Sequence, residues 1–151
     1  MTLEELKDYW QTISLLHKDV LDFQVGSWYD AGVNHKQPYP LVWWEMPYSI
    51  SYNADFPKRK DIVVCSMSVF LSTKIDDIID AHQAISFAKS IGDAIITKAR
   101  LDATEFIIQN VNAVTVREHS DDYVAGVRYD ITITLQRDIC EADINDYFNT
   151  D

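Results

Sequence analysis

Apolar residues recur along the opening of the chain at helical spacing. Leu3, Leu6, Trp10, Ile13, Leu16 and Val20 fall every three or four residues and form one stripe. Glu4, Lys7, Asp8 and Lys18 lie off it. Thr2 followed three residues later by Glu5 has the spacing of a capping box, so a helix is predicted from Thr2 to about Asp19. Phe23 to Val33 reads as a weak strand softened by Gly26 and Gly32, and Pro38 and Pro40 break the loop after it. From Leu41 to Tyr52 the pattern changes to a period of two. Val42, Trp44, Met46, Tyr48, Ile50 and Tyr52 point one way, and Trp43, Glu45, Ser49 and Ser51 the other. Pro47 cannot donate a ladder hydrogen bond and marks an edge or a bulge.

After the polar connection 53–61, Ile62 to Leu71 forms the next strand, with Val63, Cys65, Met67, Val69 and Leu71 on its apolar face. The two strands read as an antiparallel hairpin. A long helix is predicted from Ile75 to Leu101. Asp76, Asp77 and Asp80 sit at its start and Lys98 and Arg100 in its last turn, both suited to the helix dipole. Ile75, Ile78, Ile79, Ile85, Ala88, Ile91, Ile95 and Ala99 supply its buried stripe, and Gly92 marks close packing. Two strands follow: Phe106 to Arg117, bulged around Asn110 and Asn112, and a strictly alternating one through Val127, Tyr129, Ile131, Ile133 and Leu135. The order α-β-β-β-α-β-β has hairpins and no βαβ repeat. It predicts an α+β fold, an antiparallel sheet of four to five strands with the N-terminal helix and the long crossing helix packed on one face. Residues 1–137 form a single domain, and 138–151 an acidic C-terminal arm.

The 151 residues suffice for one domain with an adequate core. The apolar runs are too short to span a membrane, and the acidic, amphipathic start MTLEELKDYW predicts neither a secretory nor a transit leader. Cys65 and Cys140, far apart, are expected to be thiols in a reducing compartment. Twenty-four acids against thirteen bases give a formal net charge of −11. That argues against a groove-tracking nucleic-acid binder, whose affinity comes from neutralising phosphates.

No motif of catalysis stands out. The histidines lack metal-ligand spacing, and neither a GxSxG elbow nor a phosphate-cradling glycine loop occurs. His119 with Asp121 and Asp122 reads as a turn rather than a metal site. Asp76 and Asp77 read as helix-start acids rather than a catalytic dyad, and Cys65 on an apolar strand is a poor place for a thiolate. No enzyme, cofactor or metal is expected.

Three features remain. Trp43 faces away from Trp44 and belongs either to a second core layer or to a protein contact. Lys58, Arg59 and Lys60 form a basic knot at a hairpin tip, read either as a solvated turn or as a contact with an acidic neighbour. The acidic tail carries Ile139, Ile144, Tyr147 and Phe148, which suit an arm docking on a neighbour or a short helix folded back on its own subunit.

The layout resembles the tail-terminator and head–tail joining (neck ring) proteins of tailed bacteriophages. LEELKDYWQTISLL is similar to their opening helix, LVWWEMPYSISY and IVVCSMSVFLST to their long hairpin, DDIIDAHQAISFAKSIGDAII to their crossing helix, and VAGVRYDITITLQ to their last strand. The resemblance is one of element order and strand character over residues 1–137. It implies a structural virion protein at the neck or head–tail junction: a homo-oligomeric ring, six- or twelve-fold, between portal or neck and tail-tube proteins. Double-stranded DNA would pass its lumen without specific binding, and subunit contacts would involve Trp43, Lys58, Arg59, Lys60, Ile144, Tyr147 and Phe148. Such a ring needs a heterologous interface. The rival expectation is a cytoplasmic protein-binding adaptor that uses the Trp43 face of the sheet.

Overall fold

A computed structural model describes residues 1–31, 38–53, 58–74, 77–119 and 123–138. Helix α1 spans Leu3–Leu15. The capping box is formed as expected, with the Glu5 N–H donating to Thr2 Oγ1 at 3.2 Å and the Glu5 carboxylate accepting from the Thr2 N–H. The helix stops four residues short of the predicted end because the stripe runs out of partners: Leu6, Trp10 and Ile13 are buried, whereas Leu16 is 72% exposed.

Strand β1 is Asp22–Gly26, followed by a 3-10 turn over Trp28–Asp30, in which the Asp30 carboxylate accepts from the Ser27 N–H and hydroxyl. The predicted strand 41–52 is two strands, β2 (Leu41–Glu45) and β3 (Ser49–Asn53), divided at Met46-Pro47-Tyr48. Pro47 is the reason: without an N–H it cannot continue the ladder. Strand β4 is Lys58–Ser72, helix α2 is Ile78–Asp102, and strands β5 and β6 are Phe106–His119 and Val124–Asp138.

The fold is α+β. Its sheet has six strands in the order β1-β2-β4-β6-β5, with β3 also pairing β4, so that β2 and β3 line successive stretches of one side of β4. Among the described residues all pairings are antiparallel except β1 with β2, which is parallel and makes the sheet mixed. Parallel neighbours need a crossover rather than a tight turn, and residues 27–40 are long enough to provide one. The bulge foreseen near Asn110 falls at Gln109, which has no partner between the pairs Ile108↔Ile133 and Asn110↔Thr132.

Both helices cover one face of the sheet. Val63, Cys65, Met67 and Val69 of β4 meet Tyr129, Ile131, Ile133 and Leu135 of β6, and Ile91 and Ile95 of α2 close over them. Trp10 of α1 stacks on Trp44 of β2 at 5.3 Å between ring centroids. The stripe of α2 differs from the expected one at its N-terminal end. Ile78 and Ile79 are exposed, and small residues, Ala81, Ala84 and Ala88, face inward there. Ala81 and Ala84 pack there against Ala125 of the sheet, with Leu71 and Ile85 partly buried beside them. Asp77 caps the helix by accepting from the N–H groups of Ile79 and Asp80.

Gly92 packs closely, as its sequence context suggested. A Cβ there would lie 2.3 Å from the ring of Tyr129, whose hydroxyl donates to the Asp93 carboxylate at 3.0 Å and approaches the Lys89 carbonyl at 3.1 Å. The helix thus carries a notch, and the sheet a ring that fills it.

Candidate functional site

The face of the sheet away from the helices carries the remaining chemistry. Alternation places Glu45 of β2, Ser66 of β4 and both Arg128 and Asp130 of β6 on it, at neighbouring positions of adjacent strands. Arg128 Nε and Nη2 donate to the two oxygens of Glu45 at 2.6 and 2.9 Å. Its Nη2 also reaches Ser66 Oγ at 3.0 Å, and Nη1 meets Asp130 Oδ1 at 2.9 Å. Ser66 in turn donates to Asp130 at 2.6 Å. The Trp28 ring lies 5.3 Å from the guanidinium carbon, within cation–π range.

The carboxylates of this cluster are engaged with Arg128, and the Ser66 hydroxyl with Asp130. The guanidinium is held still more firmly charged by its hydrogen bonds to Glu45. It therefore acts as a clamp across β2, β4 and β6. Neither charge periodicity nor spacing reveals it, because Glu45 and Arg128 are distant in sequence and meet only through strand order. Arg128→Met should destabilise the domain by ~1–3 kcal/mol in chemical denaturation. The value is below that for a fully buried pair because Arg128 is partly exposed, yet Glu45 would be left buried without its partner. Glu45→Gln with Arg128→Met should recover part of the loss, since no bare charge then remains.

Trp43 is a correction to the expected contact surface. It is 4% exposed and forms a second small core with Ala31, Leu41, Phe70 and Val124. Trp28 and Tyr39, both partly buried, pack over this cluster. Trp43 also abuts Gly26, where a Cβ would lie 2.7 Å from its ring.

Lys58, Arg59 and Lys60 do not sit in a turn. They open β4, opposite Asp138, Arg137 and Gln136 of β6, and only residues 54–57 remain as the connection. Lys60 is exposed, while the side chains of Lys58 and Arg59 lie outside the described residues. Ile144, Tyr147 and Phe148, like Asp121 and Asp122, also lie outside them. The strand β6 reaches Asp138, one residue past the expected domain boundary.

Cys65 is buried, its thiol 3.6 Å from the Ile131 carbonyl oxygen, and burial pushes its pKa up, with the Asp130 charge adding to the effect. The thiolate, which is the reactive form, is thereby suppressed. In a Cys140→Ser variant at pH 8, a thiol-reactive dye should label Cys65 only as fast as the domain unfolds. Fast labelling of the folded protein would contradict this burial.

Among the described residues, no group of three or more His, Cys, Asp or Glu side chains is placed to hold a metal ion. No described helix is long and apolar enough to cross a membrane. The sequence matches no protein-family model and no curated protein.

Proposed function

We propose that this chain is a structural virion protein of a tailed bacteriophage, a ring-forming tail terminator or neck connector that joins head or portal to tail. The observation that carries this reading is the order of elements. An N-terminal helix, a short strand, a long hairpin, a helix crossing the sheet and a closing strand pair follow one another as in the resemblance drawn from the sequence. The formal charge of −11 supports it, since an acidic conduit does not hold DNA through counterion release. So does the spent state of Arg128, whose donors already meet Glu45, Ser66 and Asp130.

The test is direct. A tagged copy should be found at the head–tail junction by electron microscopy of particles, and the purified protein should form rings of six or twelve by light scattering. Particles that assemble normally without it, or a chain that stays monomeric at every concentration, would overturn the reading.

In this reading residues 139–151 serve as the arm that reaches a neighbour. Deleting them should leave the melting temperature of the subunit unchanged and weaken ring formation. A drop of several degrees would mean that the segment belongs to its own core. An arm that orders only on contact loses its conformational entropy at assembly, which keeps early assembly reversible.

A further inference from the structure

We propose that two copies of this chain join through β5, the outer side of each β5 pairing antiparallel with that of the other about a two-fold axis. The contact goes beyond the ring reading and does not rest on it. A cyclic ring needs two different surfaces, whereas this one is self-complementary and pairs single subunits or whole rings.

A strand at the border of a sheet presents a row of unsatisfied N–H and C=O groups, and proteins usually guard such borders with charge or proline. Strand β5 is a border strand, and among the described residues no strand pairs with its outer side. Its residues 106–116, FIIQNVNAVTV, contain neither a charged residue nor a proline, in a chain that is 25% charged. Phe106, Ile107, Ile108, Val111, Val114 and Val116 give it the composition of a strand that is covered. Yet of 106–116 only Phe106 is buried. On the side of the helices Ala113 and Thr115, which pair with Tyr129 and Val127, are exposed. On the other face Ile107 and Val114 are 54% and 57% exposed.

Charge selects a second copy as the occupant. Glu105 precedes the uncharged run and Arg117 follows it, and both are exposed. Glu118, which has no partner on β6, comes after the paired length. Pairing the run with itself in antiparallel sense brings each Glu105 beside the Arg117 end of the other copy, twice over, whereas parallel pairing would set like against like. Subunits of formal charge −11 repel one another, and an uncharged border is where two can approach at least cost.

The side chains are self-complementary as well. The pairings with β6 place Ile107, Asn110, Asn112 and Val114 on the face away from the helices, opposite Thr134, Thr132, Asp130 and Arg128. With the axis at Val111, and the bulged Gln109 passed over in each copy, Asn110 meets Asn112 of the second copy and Ile107 meets its Val114. Amide then lies against amide, and the two exposed aliphatic side chains cover each other.

Cysteine pairs test this in the full chain with Cys140→Ser. Ile107→Cys is combined in turn with Val114→Cys or Asn112→Cys, all on one face. Within a subunit these positions are seven or five residues apart along the strand, roughly 23 or 16 Å, beyond the reach of a disulfide. Mild oxidation should convert most of the Ile107→Cys, Val114→Cys protein to covalent dimers and to nothing larger, and neither single variant should do so. Dimers from the Asn112→Cys pair instead would shift the axis to Asn110 and keep the contact. Asn110→Lys with Asn112→Lys, both at exposed positions, should leave the circular dichroism spectrum unchanged and weaken the dimer ~10-fold or more in analytical ultracentrifugation. Mixing in copies that carry Asn110→Glu with Asn112→Glu should restore it. No covalent dimer from either pair, or a dimer untouched by the double lysine variant, would overturn the contact. Rings seen by light scattering without covalent dimers would remove the contact and leave the ring reading standing. Covalent dimers without rings would keep the contact and count against the ring.

Discussion

Gly126→Ala should be the most damaging single substitution in the described domain. Gly126 lies in β6 between Phe70 of β4 and Val116 of β5, and it is buried. A Cβ at this position would stand 1.8 Å from the Val69 carbonyl oxygen and 3.1 Å from the Phe70 Cα. Both atoms are main chain of the central ladder, so no side-chain rotation can make room. Ordinary overpacking costs about 1–3 kcal/mol because side chains and loops give way. Here the give must come from the pairing of β4 with β6, and a loss of ~3 kcal/mol or more is expected, a large part of the net stability of a small domain. Urea denaturation followed by tryptophan fluorescence measures it. A midpoint within experimental error of the parent would show that the two strands are not held this closely.

Ile133→Ala should rank next, at a cost of ~2–5 kcal/mol, the range for deleting a large aliphatic side chain from a core that relaxes only in part. Ile133 is fully buried, pairs with Val63 on one side and Ile108 on the other, and points toward the helices. Its neighbour Thr132, facing the other way, provides the internal control. Thr132→Ala should change the midpoint far less. Equal losses at the two positions would mean that the strand does not distinguish its faces. The thermal midpoint should fall in parallel, by several degrees for each kcal/mol in a domain of this size.

The strands that alternate were legible from sequence because burial on one face of a sheet imposes a period of two. Alternation places Val63 to Val69 and Val127 to Ile133 on one face, and the structure adds the register in which they meet. The cap of α1 is legible for a similar reason: Thr2 and Glu5 act on N–H groups three residues apart, whereas Asp77, expected within the first turn of a helix from Ile75, is the N-cap of a helix that starts at Ile78. What depended on distant partners was not. Alternation assigns Trp43 to the far face but cannot tell that Trp28 and Tyr39 close over it. The inward turn of α2 uses alanines rather than Ile78 and Ile79 and packs them against Ala125, a partner that no property of the helix itself reveals. The parallel pairing of β1 is not legible, because successive apolar strands joined by polar connections predict hairpins. The Glu45–Arg128 clamp escaped because polar residues on a solvent-side strand face look alike until the strand order brings two of them together.

The ring of Tyr129 seated in the notch at Gly92 has a mechanical consequence. A helix can slide on a sheet only if successive turns present similar shapes, and a shift of one turn is about 5.4 Å. Such a slide would bring Ala88 or Ile96 to the place of Gly92 and drive a Cβ into the ring, while breaking the hydrogen bond to Asp93. Register shifts of helices are one of the common ways proteins relay a signal. In this molecule that route is barred, so α2 and the centre of the sheet transmit force as one stiff body, and any rearrangement must be taken up at the strand ends and borders.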